Sequence, residues 1–138
     1  MHSILFIHPT GISDLIQTLS DNKQVEFLSI KGIPITKEVV TYLQTCFKLK
    51  RLILEECSNI SPTIFTLHRL IELYVDTPIS FTQEYFTGLL SLLQCKLKRI
   101  HMIPTGPLRK EQIRLLVMVA IDNNVKELML DSFISLKL

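Results

Sequence analysis

The sequence predicts one α/β domain in which a strand, a turn and a short helix recur along the chain. Three observations predict it. A block of apolar positions recurs six times, and it is clearest where Cys46, Leu49, Leu52, Leu54, Cys57 and Ile60 stand in the order C-x2-L-x2-L-x-L-x2-C-x2-I. Its central position falls at Leu5, Leu28, Leu52, Leu73, Ile100 and Leu128, with offsets of 23, 24, 21, 27 and 28 residues, the period of units that stack on one another. Each time a second apolar residue follows two positions later, at Ile7, Ile30, Leu54, Val75, Met102 and Leu130, which is the period of a strand with one buried face.

The first block is the weakest, because its leading position, filled elsewhere by Val25, Leu49, Leu70, Leu97 and Val125, is His2. Ile7-His8-Pro9-Thr10-Gly11 resembles Met102-Ile103-Pro104-Thr105-Gly106 at the same point after its strand, so one turn is expected twice. The helix after the second strand is read from Val39, Val40, Leu43 and Phe47, with Thr36 as its N-cap. A threonine hydroxyl there accepts one of the orphan amide hydrogen bonds of the first turn. Ser61 stands in the same role before Pro62 to His68, a piece with room for about two turns. Ser80 and Gln83 suit a capping box ahead of Phe86, Leu89, Leu90 and Leu93. Pro107 is expected to open the last helix, where its missing amide costs nothing, with Ile113, Leu116, Val117, Ala120 and Ile121 as the apolar stripe and Asn123 and Asn124 as the end.

Stacked in this way, strands and covering helices give a solenoid over residues 1–138, with a curved parallel inner sheet and short outer helices. No polar capping unit is visible. Phe133, Ile134, Leu136 and Leu138 follow the last strand with no helix to cover them, so that end is expected to be closed by another chain, by end-to-end self-association or by sequence beyond it.

Composition narrows the class. An apolar share of 47% and a charged share of 20% describe a globular chain, and 138 residues suit one domain. The longest apolar run, Leu115 to Ile121, is far below the roughly 18 to 20 residues of a membrane helix, so no membrane span is expected. The N-terminus lacks the basic lead and long apolar region of a secretory signal. Three cysteines without a C-x2-C pair point to reduced thiols, hence the cytoplasm, with the nucleus as the other reducing compartment. The net charge of +2 demands no polyanion. Four scattered histidines make no metal motif, Pro104-Thr105-Gly106 is no phosphate loop, and no serine elbow, kinase signature or dinucleotide fingerprint occurs. The expectation is a non-enzymatic chain without a cofactor.

The Cys46 to Ile60 block resembles the cysteine-containing class of leucine-rich repeats, found in the substrate-binding part of F-box proteins. The helical repeats are also similar to those of ribonuclease inhibitor and of innate immune receptors. The resemblance implies that the concave sheet recognises a protein or peptide and that any catalysis resides elsewhere. With Met1 two residues before the first strand, no F-box segment is expected ahead of the first repeat. The alternative is therefore a structural fragment or isoform of a larger repeat protein, a ubiquitin-ligase substrate receptor or an innate immune receptor, acting through end-to-end assembly.

In this register the residues between the paired apolar positions, Phe6, Ser29, Ile53, Tyr74, His101 and Met129, share the concave side. Ile53, Tyr74, His101 and Met129 are the expected protein-binding residues, with Tyr74 and Met129 as anchors, because aromatic residues and Met concentrate at interface cores. The same row also suits packing among its own members. The neighbouring column, Ile4, Phe27, Arg51, Glu72, Arg99 and Glu127, alternates in sign over its last four members, so Arg51, Glu72 and Arg99 are expected first as a cross-strand ladder and second as partner contacts. Two basic clusters, Lys48-Lys50-Arg51 and Lys96-Lys98-Arg99, are diluted in sequence by Glu55, Glu56, Glu72 and Asp76, and without an aromatic platform nucleic acid is disfavoured as partner. Cys57 is expected to bond the turn backbone rather than to act as a nucleophile.

Overall fold

Six strands, each followed by an apolar-faced helix or turn, form the larger part of one sheet in the computed structural model, which describes residues 3–138. The strands are β1 (Ile4–Ile7), β2 (Phe27–Lys31), β3 (Arg51–Glu55), β4 (Glu72–Ser80), β5 (Arg99–Thr105), β6 (Glu127–Leu130) and β7 (Ile134–Lys137). The α-helices are α1 (Ile12–Asp21), α2 (Lys37–Thr45), α3 (Gln83–Leu93) and α4 (Lys110–Asp122), and a 3-10 helix spans Pro62–Thr66. The sheet order follows the chain order, β1 through β6 are parallel, and β7 returns antiparallel. With β1 and β7 as its edges, the sheet is open, neither curled nor closed.

The register is the expected one. Leu5, Leu28, Leu52, Leu73, Ile100 and Leu128 are paired strand to strand. From Leu28 onward these side chains are buried, as are Ile30, Leu54, Val75, Met102 and Leu130 two positions later. They join Leu15, Leu19, Val39, Leu43, Ile64, Phe65, Leu89, Leu92, Leu116 and Ala120 of the helical layer in one core. Burying a leucine removes roughly 1.5–3 kcal/mol of exposed apolar cost, and this is what draws every helix onto the same face of the sheet. The helical elements touch in chain order, α1 on α2, α2 on the 3-10 helix, that helix on α3, and α3 on α4. Closest is the approach of α3 to the 3-10 helix, where a Cβ added at Gly88 would come within 2.6 Å of the Phe65 ring.

Local expectations met mixed outcomes. The Thr36 hydroxyl accepts from the Val39 amide at 3.3 Å, and the Ser61 hydroxyl accepts from the Thr63 amide at 3.2 Å. Asn123 ends α4, and Asn124 takes the left-handed conformation at φ 58°. Ser80, however, is the last residue of β4, and α3 starts behind Thr82, which makes no side-chain capping bond. Pro107 likewise precedes α4 rather than opening it; the helix starts at Lys110 behind Arg109, whose amide donates to Gln112 Oε1 at 2.9 Å. Phe47 lies beyond α2 and is exposed, as is Ile121 on α4. The two similar pentapeptides do not share a turn: Gly106 is left-handed at φ 85°, whereas Gly11 is extended and caps α1. The leading position of the first block, His2, lies outside the described residues.

The expectation of an uncovered last strand is corrected by β7. Ser132 turns the chain at φ 72°, and Leu130, Met129, Leu128 and Glu127 pair with Ile134, Ser135, Leu136 and Lys137. Alternation inside the apolar tail sends Ile134 into the core and Leu136 against it, so the stretch is a half-buried strand. Any self-association at this end meets β7 rather than β6.

Candidate functional site

The sheet face opposite the helices is where the expected binding residues gather. Parallel pairing sets Phe6, Ser29, Ile53, Tyr74, His101 and Met129 side by side, and β7 extends the row with Ser135. With strands about 4.8 Å apart, the row runs the full width of the sheet. Phe6 is 70% exposed, and its ring lies 5.5 Å from that of Phe27. Ile53, Tyr74, His101 and Met129 are half-buried, whereas Ser29 is buried. Ile53, Tyr74 and His101, together with Asp76 and Ile103, line a shallow hollow of about 90 Å³.

Two members of the row are held by neighbours that the sequence reading did not single out. His101 Nε2 and Asp131 Oδ1 are 2.8 Å apart, and the Ser135 hydroxyl donates to the Met129 sulfur at 3.3 Å. Asp131 was legible in principle: it follows Met129 by two positions, so period two carries it past the end of β6 on the same face, diagonal to His101. Ile103 and Asp76 escaped because the β4–β5 register shifts between Tyr74 and Pro78.

The charged column forms the expected ladder. Glu72 is the hub, with Oε2 2.5 Å from Arg51 Nε and Oε1 3.0 Å from Arg99 Nη1, and Arg99 Nε reaches Glu127 at 3.8 Å. Arg51 also lies over the Phe27 ring, 4.7 Å from its centroid. The Glu72 carboxylate is nearly covered while both arginines stay about half exposed. Arg51, Glu72 and Arg99 thus hold one another in fixed geometry beside the apolar row. Burial, and then Glu72 and Glu127, raise the Tyr74 phenol above its ordinary range, so it keeps its proton and remains a donor at neutral pH.

The buried thiols, Cys46 and Cys57, are structural. Cys57 donates to the carbonyls of Ile30 and Glu55, each at 3.4 Å, and so ties the turn after β3 to β2. Burial raises the pKa of Cys57 and of Cys46, which is the opposite of what a nucleophile requires. Among the described residues no group of three or more His, Cys, Asp or Glu side chains is arranged to hold a metal ion, and no helix is long and apolar enough to cross a membrane. No protein-family model, curated protein or solved structure matches this chain.

Proposed function

We propose that the chain is a leucine-rich repeat protein of about six repeats and works as a non-catalytic adaptor, gripping a protein or peptide with the helix-free side of its sheet. One observation carries the reading: Phe6, Ile53, Tyr74, His101 and Met129 stand in register on that side, outside the core that the helices close. Contiguous apolar surface left accessible in this way marks interaction sites. Tyr74 and Met129 are the anchors, His101 supplies a polar contact oriented by Asp131, and the Arg51–Glu72–Arg99 ladder borders the contact and fixes orientation. The three unpaired thiols, two of them buried, suit a reducing compartment, the cytoplasm or the nucleus.

The test is affinity capture from cell extract with the wild type and with the pair Tyr74→Ala and Met129→Ala, read by mass spectrometry beside a thermal melt. The reading expects a protein captured by the wild type and lost with the pair, at a nearly unchanged melting temperature. An unchanged partner list would transfer the function to the ends of the sheet and favour a segment of a larger receptor.

A further inference from the structure

The fold separates the basic clusters from Glu55, Glu56 and Asp76, three of the four acidic residues that dilute them in sequence, while Glu72 stays at the strand starts, paired with Arg51 and Arg99. Because β1 to β6 are parallel, all of them start at one edge of the molecule and finish at the other. Lys48, Lys50, Arg69, Lys96, Lys98 and Lys126 lie at the strand-start edge, on the segments that lead into β3, β4, β5 and β6. Glu55, Glu56 and Asp131 lie at or beyond the strand ends, and Asp76, midway along β4, accepts there from the Glu56 amide at 2.9 Å. Glu55 stands five residue steps along the chain from Lys50, about 16 Å at 3.3 Å per step. That exceeds the Debye length of about 8 Å at physiological salt, so the distant carboxylates do not neutralise the basic edge.

The basic edge is also shaped. A groove of about 640 Å³ opens there, lined by Phe47, Lys48, Lys50, Arg69, Ile71 and Lys96 among others. Phe47 is 51% exposed and shares the groove lining with Lys48, Lys50, Arg69 and Lys96. Glu26 engages Lys50 at 3.3 Å, while Lys48, Arg69 and Lys96 form no ion pair among the described residues.

We propose that this groove is a second interaction surface that takes an acidic peptide segment carrying an apolar residue, the carboxylates meeting Lys48, Arg69 and Lys96 and the apolar side chain covering Phe47. Charge complementarity supplies steering and orientation, and the aromatic patch supplies burial. A protein segment fits better than a nucleic acid because the groove offers a single exposed aromatic ring, where successive bases would need a stacking platform. The surface is distinct from the helix-free sheet face and does not depend on what binds there.

Fluorescence anisotropy tests it with three labelled probes: a peptide of alternating Asp and Leu, one of alternating Lys and Leu, and a single-stranded oligonucleotide. The Asp/Leu peptide should bind in a salt-dependent way, with at least about tenfold weaker binding after Lys48→Glu plus Lys96→Glu. Lys48→Gln plus Lys96→Gln should give a smaller loss at an unchanged melting temperature, and Tyr74→Ala plus Met129→Ala should give none. An oligonucleotide that binds as tightly as the Asp/Leu peptide would overturn the peptide assignment. No binding of that peptide, or binding indifferent to the charge reversal, would overturn the site.

Discussion

Leu52 and Ile53 are neighbours on β3, yet one is fully buried under the helices and the other is half open on the far face. The same division runs across the sheet: the column through Leu28, Leu52, Leu73, Ile100 and Leu128 is sealed, and the column through Phe6, Ile53, Tyr74, His101 and Met129 is accessible, with Ser29 its one buried member. Both columns are rich in apolar residues. What separates them is cover, since every helix packs on one side. Stability is therefore expected to reside in the sealed columns, and recognition in the open ones.

The comparison breaks or sharpens under substitution, and the sealed side should respond most. Leu73→Ala removes a fully buried side chain and should cost about 3 kcal/mol, lowering the melting temperature by about 10 °C. A loss as small as that of an exposed leucine would mean the core is misassigned. Gly88→Ala forces a methyl group to 2.6 Å from Phe65 in the helical layer and should cost about 2 kcal/mol, visible as a lower urea midpoint at constant slope.

On the open side the effects should shrink. Glu72→Gln weakens two ion pairs whose arginines are half in water, so it should cost about 1 kcal/mol, and a double-mutant cycle with Arg99→Ala should return a coupling below that. The smallest effect is in pH. Cys46 and Cys57 have folded pKa values raised by burial, so the stability from their neutral thiols is complete below the ordinary value of 9.0 and is lost as pH rises through the raised values. Denaturant midpoints should be flat through neutrality and fall in the alkaline range, and Cys57 should resist alkylation until the chain unfolds.

The strand register was legible in the sequence because two apolar positions, repeated at one spacing, leave a single way to keep every strand's apolar side inward. The helix starts were less legible. Nothing in the sequence signals that β4 runs on through Pro78, which sits beyond a register shift where the missing amide is tolerated, and this carries Ser80 into the strand and moves the cap to Thr82. β7 was hidden because Ile134 and Leu136 are too few to separate alternation from a merely apolar tail. At the site, the row and the ladder follow from register alone. The His101–Asp131 pair does not, since Asp131 lies past the end of its strand, in the turn that leads to β7. The polarity of charge between the two strand ends also escapes a linear reading: residues five apart in sequence lie at opposite edges of the molecule.

The most direct test of the division is Leu52→Ala beside Ile53→Ala, each measured for melting temperature and for capture of the partner well below its melt. The account predicts that Leu52→Ala lowers the melting temperature by about 10 °C and leaves capture intact, whereas Ile53→Ala lowers it by about 3 °C or less and weakens capture. Equal destabilisation by the two, with capture unaffected by Ile53→Ala, would contradict it.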